Sequence, residues 1–271
     1  MKLKGLPAWA IESARLARTA ALRIVSPAEQ AGRAFRRRRP LPPLWLRRHA
    51  GPVGAFERSA RDCRRQLEEW NALPLGGSIL DLGCGPGSMA LMLREVLERS
   101  GRYLGVDVHA PSIAWCRRAF ADDPRFRFEV AAVASPYGGG LTPVGEYRVP
   151  AGDGATDLAI AKSLFTHLEP REAERHLAEI GRVLRPDGVA LVTAFLFEGD
   201  EVPAFPHGDG FFRWRIGHRP AAAAAYSKEC FAKMIDDAGL WIETWSWGFL
   251  PGTARRPRGQ DVLLLRRKWL P

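Results

Sequence analysis

Two carboxylates, a run of glycines and one histidine are the residues whose types and spacing can do chemistry in this sequence. Ser78-Ile79-Leu80-Asp81-Leu82 leads directly into Gly83-Cys84-Gly85-Pro86-Gly87-Ser88-Met89-Ala90. Glycine takes positive φ without strain and lets a ligand approach the backbone, so glycines at every second position mark a turn suited to a small polar ligand. Further on, Arg102-Tyr103-Leu104-Gly105-Val106 ends in Asp107. A carboxylate at the tip of the second strand of an α/β site can accept both hydrogen bonds of a ribose diol; the alternative role for Asp107 is to cap the helix that Pro111 and Ser112 open. His167 follows the apolar stretch 157–161 and titrates near neutral pH, which suits a general base. Its structural alternative is to bond the loop backbone. Tyr137, Glu169, His207 and Asp209 are weaker candidates for the same work. No spaced cluster of histidines and carboxylates suggests a metal site; Asp153 and Asp157 read as a turn before a strand.

The elements that must position these groups alternate. Apolar runs with strand character fall near 78–82, 102–106, 126–132, 156–161, 189–195, 241–247 and 261–266, and helical patterns near 89–99, 111–120, 170–184 and 227–238. Alternation of this kind predicts an α/β fold with a mostly parallel sheet covered by helices on both faces. Two long connections, Val133 to Gly154 and Leu196 to Ala225, interrupt the rhythm and are expected outside the carboxyl ends of the strands, where ligands bind. Ala221 to Ala225 reads as a spacer.

Ahead of the first strand, Pro7 to Val25 is expected to form an alanine-rich helix that Pro27 interrupts. Arg33 to Pro43 holds Arg36-Arg37-Arg38-Arg39 followed by prolines and reads as an exposed connector or as a surface for an anionic partner. A further helix is expected over Phe56 to Trp70. The division this suggests is a basic helical extension over 1–70 and the α/β domain over 71–271.

Net charge is +10, and residues 1–70 alone carry 16 Lys or Arg against 6 Asp or Glu. Residues 255–271 are basic as well, and the part between is mildly acidic. The 4 cysteines lie singly, without a Cys-x-x-Cys pair, and suggest free thiols in a reducing compartment. No run approaches the ~20 apolar residues of a membrane span, and charges interrupt any leader-like opening. A cytoplasmic location is the resulting expectation.

Asp81-Leu82-Gly83-Cys84-Gly85-Pro86-Gly87 resembles the first motif of class I S-adenosylmethionine-dependent methyltransferases. Asp157 to Leu168 resembles their fourth strand with its Ser-x-Phe-x-His continuation, and Arg182-Val183-Leu184-Arg185-Pro186-Asp187-Gly188 their turn into strand five. Weaker likeness extends to Tyr226 and from Gly248 to Asp261. The resemblance implies a Rossmann-like, doubly wound sheet of seven strands whose last strand runs antiparallel between its neighbours. It implies S-adenosylmethionine as cofactor, held by Asp81, Gly83, Cys84, Gly85, Gly87, Asp107, Val108, Ala161 and Lys162, and a catalytic role for His167. Helices before the first strand would cover the cofactor and border the substrate entrance. One departure is the absence of an acidic or amide residue after strand three, where Ser135 or the backbone would have to contact adenine.

The implied reaction transfers a methyl group to an O or N nucleophile of a small-molecule or saccharide-like acceptor. Two other classes compete. One is a nucleic-acid or membrane-surface binding protein with a degenerate methyltransferase fold, motivated by the basic ends. The other is a nicotinamide-dependent oxidoreductase, against which Gly-x-Gly-x-Gly argues, because dinucleotide sites favour Gly-x-Gly-x-x-Gly.

Overall fold

The structure is a computed structural model that describes residues 8–36, 39–199, 204–246 and 259–268. Arg37 and Arg38 at the middle of the arginine run, and Gly248 in the carboxyl-terminal likeness, lie outside the described residues.

Three helices precede the sheet: α1 (Ala8–Phe35), α2 (Leu44–His49) and α3 (Phe56–Glu69). Then follow β1 (Ser78–Leu82), α4 (Ser88–Leu93), β2 (Arg102–Asp107), α5 (Ala110–Ala119) and β3 (Phe126–Val130). A small hairpin of β4 (Ala134–Ser135) and β5 (Gly138–Gly139) leads to β6 (Thr156–Ala161), α6 (Pro170–Val183) and β7 (Leu184–Phe197). The chain closes with β8 (His207–Asp209), β9 (Phe212–Trp214), β10 (Ala224–Ser227), α7 (Lys228–Asp237), β11 (Leu240–Ser246) and β12 (Asp261–Arg267).

The main sheet runs β3-β2-β1-β6-β7, all parallel, and continues through antiparallel β12 to β11. That is the seven-stranded order expected, with the last strand reversed between its neighbours. Both faces are dry, so the strands are apolar almost throughout. Ile79, Tyr103 and Phe128 point to one layer with Phe56, Leu67 and Met89. Leu80, Val106 and Ala159 point to the other with Phe165, Leu177 and Phe231. Leu41, Leu46 and Leu67 of the amino-terminal segment thus share one core with the sheet.

Four expectations need correction. Pro27 does not interrupt the first helix, which runs through it. The proline lies on the exposed side, so the carbonyl it leaves without a helical partner is directed toward solvent, and Ser26 beside it anchors the helix. The Ser26 hydroxyl donates to the Leu22 carbonyl at 2.6 Å and accepts the Leu44 amide hydrogen at 2.9 Å.

The described part of the connector is docked rather than free: Leu41 is buried, and its carbonyl accepts from the Gln30 side chain at 3.0 Å. The helix expected over 89–99 stops at Leu93, because the Arg125 guanidinium takes the carbonyls of Arg94 and Leu97, and the Glu98 amide turns to Leu75.

Ala221 to Ala225 is not a spacer. Ala224 and Ala225 are buried in β10, which pairs in parallel with Phe195 to Phe197 at the end of β7. β7 is longer than the expected 189–195, and this extension supplies the edge that recruits β10. At its other end Arg185 to Gly188 bulge out between two paired positions. A Cβ on Gly188 would lie 2.9 Å from the Thr156 carbonyl, so the bulge requires glycine.

Leu67 is fully buried between α3 and the sheet. Leu67→Ala is expected to cost about 2–5 kcal/mol, read as a lower urea midpoint in one cooperative transition. A separate early transition for the amino-terminal helices would contradict the shared core.

Candidate cofactor and active site

The glycine turn is folded by its own amides. Gly83, Gly85 and Gly87 take φ of 72°, 51° and 76°, the left-handed region in which a side chain is strained. Those conformations let the amides of Gly83 and Cys84 both donate to the Val106 carbonyl, at 2.8 and 3.2 Å. At Gly87 space is also limiting, since a Cβ there would lie 2.9 Å from the Cys116 sulfur on α5.

Asp107 ties the turn after β1 to the turn after β2. One carboxylate oxygen accepts the Gly85 amide hydrogen at 2.7 Å, and the other accepts that of His109 at 2.7 Å. Burial pushes this carboxyl up and the two amides pull it back. Each oxygen has a second lone pair for a further donor.

Asp81 stands opposite Gly105 of β2 and Ile160 of β6. Its side chain is 2% exposed and accepts a hydrogen bond from the Tyr103 hydroxyl. Burial is the main force raising its pKa, to about 6; the Tyr103 bond and the Lys162 charge act against it, and Asp107 adds to it. Cys84 is buried and burial raises its thiol pKa, so it presents no thiolate to the site. Ala161 is buried at the end of β6. A Cβ on Gly138 would meet the Val108 carbonyl at 2.9 Å, which places the β4–β5 hairpin directly on the segment after β2.

The end of α2 covers this cluster. The His49 ring stacks on His109 with centroids 3.8 Å apart and planes 20° apart. The Ala50 methyl is 3.7 Å from where Gly85 would carry a Cβ. Burial, reinforced by His49, lowers the His109 pKa to about 4, and the nearby Asp107 charge opposes this, so the ring is neutral at physiological pH. Sequence reasoning did not single out His49, His109 or Tyr103. Tyr103 was legible as the residue two places before Gly105 on the same face of β2 as Asp81's own side of β1; the two histidines carried no local signal.

The two long connections meet at His167. The His167 Nδ1 is 2.8 Å from the Ala221 carbonyl, which also accepts from the Tyr137 hydroxyl at 2.6 Å. Tyr137 and His167 are themselves 3.2 Å apart, hydroxyl to Nδ1. A carbonyl can only accept, so Nδ1 carries the hydrogen and Nε2 is the basic nitrogen. Burial lowers the His167 pKa and the bond to Ala221 partly offsets this.

The segment leading to His167 is strained and braced. Ser163 has φ of 61°; its amide donates to the Thr193 hydroxyl at 2.7 Å and its own hydroxyl to Gln260 at 3.0 Å. Of the weaker candidates, only Tyr137 joins His167. Glu169 begins α6, its amide bonded to the Glu172 carboxylate at 2.7 Å. His207 and Asp209 are exposed on β8. Ser135 accepts the Tyr137 amide hydrogen at 3.2 Å and so shapes the hairpin.

Residues 79–188 match the family model described as a methyltransferase domain. The matched residues run from β1 to the start of β7, and the strand order is the one that the resemblance to class I methyltransferases implies. A curated relative, an uncharacterized 37.1 kDa protein in transposon TN4556 of Streptomyces fradiae, is 32% identical over 123 residues. That match takes in 45% of this chain and 31% of the relative, so the chain spans about a third of that protein's length.

Among solved structures, the 1,6-didemethyltoxoflavin-N1-methyltransferase of Burkholderia thailandensis, with 1,6-didemethyltoxoflavin and S-adenosylhomocysteine bound, aligns at TM-score 0.53 and 20% identity over 97% of this chain and 92% of its own. A geranyl diphosphate methyltransferase in complex with S-adenosylmethionine aligns at TM-score 0.53 and 15% identity, over 78% of this chain and 85% of its own. These likenesses show the shared fold.

The state of Asp81 makes stability pH-dependent in a defined sense. Its folded pKa lies above the ordinary value of 3.8, so ionisation favours unfolding as pH rises from about 4 to about 6, and the cost is complete above that window. Asp81→Asn is expected to match the wild type at pH 4 and to exceed it at pH 7.5 by at most about 3 kcal/mol. Thermal unfolding across that range checks this; a variant less stable at pH 7.5 than the wild type contradicts it.

Proposed function

We propose that this protein binds S-adenosylmethionine at the glycine turn and transfers its methyl group to an O or N nucleophile of a small-molecule acceptor, with His167 as the base. The observation that carries the reading is the donor set at the turn: glycines in left-handed conformation flanked by two carboxylates, Asp81 and Asp107. Carboxylates repel a pyrophosphate but suit a ligand that is cationic at one end and a sugar diol at the other. The acids and open glycine backbone therefore fit this cofactor.

In this reading Asp107 orients the ribose hydroxyls with the lone pairs that Gly85 and His109 leave to it. Asp81, with Lys162 beside it, sets the charge balance near the ammonium group. Gly83, Cys84, Gly85 and Gly87 present backbone to the cofactor, and Val108, Ala161 and the turn at His49 and Ala50 enclose it. The cofactor supplies an activated methyl group, so the protein's tasks are alignment and removal of water. His167 takes the acceptor's proton at Nε2, its Nδ1 hydrogen held by Ala221. Tyr137 fixes the same carbonyl and keeps the ring in place. A hydroxyl acceptor needs this base more than an amine does. The small-molecule methyltransferases among the structural neighbours accord with an acceptor of that class.

Calorimetric titration with S-adenosylhomocysteine, with NADH as the control, tests the cofactor assignment. Binding of the first and not of the second is expected, and Asp107→Ala should weaken it at least ~10-fold through loss of charge-assisted hydrogen bonds. Wild-type affinity in that variant, or binding of NADH alone, would sink the assignment. Once an acceptor is in hand, His167→Ala is expected to lower kcat by ~10²–10⁴-fold with cofactor affinity unchanged. Unchanged kcat would leave His167 a structural role only.

A further inference from the structure

α1 turns an apolar side away from the protein. Its inner side, with Leu22, Ser26, Gln30 and Arg33 at helical spacing, is partly or fully covered by the rest of the chain. On the opposite side Ala17, Ile24, Ala28, Ala31 and Phe35 follow one another along one line, all exposed. Ile24 is 78% and Phe35 90% exposed, and Leu16 at 64% and Val25 at 48% widen the strip. At 28 residues the helix is about 42 Å long. Large apolar residues lined up in this way are a surface to be covered, whereas singly scattered ones are ordinary.

The margins of the strip decide what covers it. Arg18 and Arg36, five helical turns apart on one margin, are both exposed. On the other margin the Arg23 guanidinium lies over the Trp45 ring at 4.7 Å. Glu29 points inward, 2.8 Å from Arg47 and 3.9 Å from Arg33, so it does not offset them. A second copy of the chain would bring like-charged arginine margins together, and among the exposed described residues of α1 there is no acid to compensate them. A surface of phosphate headgroups over acyl chains matches both the apolar strip and the charges.

We propose that α1 docks this protein on an anionic phospholipid surface, lying in the plane of the bilayer with Ile24 and Phe35 in the headgroup layer and Arg18 and Arg36 on lipid phosphates. α1 does not span the bilayer; among the described residues no helix is long and apolar enough to do so. The inner side of α1 rests on α2, whose last turn covers Gly85. Docking therefore places the candidate site's cover next to the membrane. This inference does not depend on the methyltransferase reading.

Flotation of the full chain with vesicles tests it. With phosphatidylglycerol and phosphatidylcholine in equal parts, the protein is expected to float, and with phosphatidylcholine alone to partition at least tenfold less. I24E/F35E should lose at least tenfold on the mixed vesicles, and R18E/R36E should lose both affinity and most of its salt dependence. These positions lie outside the candidate site, and an unchanged thermal unfolding transition in each variant shows that the fold is kept, whatever the outcome of cofactor titration. Equal partitioning on neutral vesicles, or full binding by I24E/F35E, overturns the proposal. So does a wild-type dimer in sedimentation velocity that I24E/F35E abolishes, because that result assigns the strip to a second copy.

Discussion

The pairing of β1 between β2 and β6 is the constraint on which the rest of the structure depends. With Asp81 opposite both Gly105 and Ile160, the tips of three parallel strands end side by side. The groups these strands bring to the candidate site lie at or just beyond those tips: the glycine turn after β1, Asp107 at the end of β2, and Lys162 to His167 after β6. Parallel strands present their carboxyl ends on one edge, so one register brings together residues from distant parts of the chain. The amides of Gly83, Cys84 and Gly85 then close on Val106 and Asp107, which binds the glycine run to its neighbour strand.

Such a site collects charge in a dry place, and the sheet tolerates it through hydrogen bonds. Asp81 has a buried phenol as donor and a lysine nearby, while Asp107 has two backbone amides. Removing such a donor while the carboxylate stays buried is more damaging than replacing the whole pair. The amino-terminal helices add to this by excluding water from one layer, since Phe56 and Leu67 belong to the same core as Ile79 and Met89. The basic segment is thus part of the fold's interior on one side and surface on the other.

Much of this was legible in the sequence. Strand and helix positions followed from apolar runs separated by turn residues, and the reversed last strand from the resemblance at Asp81 to Gly87 and Arg182 to Gly188. What was not legible depends on tertiary partners. A proline reads as a break in a helix, and only the solvent beside Pro27 and the bond from Ser26 to Leu44 show why α1 continues. A run of alanines has no strand character of its own; β10 forms because β7 extends past its other neighbours. Helix α4 ends early because the residues after it are tied elsewhere, the carbonyls of Arg94 and Leu97 to Arg125 and the Glu98 amide to Leu75. In the candidate site, Asp107 and His167 were visible as residue types in a pattern. The stack of His49 on His109 was not, because the two rings meet only once α2 folds back over the sheet.

The Ala221 carbonyl, shared by Tyr137 and His167, has a consequence for how this site can change over time. An acceptor supplied by the main chain persists whatever side chain its residue carries, provided the backbone path is kept. That path is held by main-chain hydrogen bonds, of Ala222 to Arg219, Ala223 to Pro220 and Arg215 to Ala223, and by the burial of Ala224 and Ala225 against β7. Drift in this alanine run is therefore limited by size rather than by chemistry: a bulky residue would displace the carbonyl and release both rings, whereas a small polar one would leave them where they are. Selection on the orientation of His167 would then register in the sequence as a preference for small residues, in a stretch that otherwise has the composition of a linker.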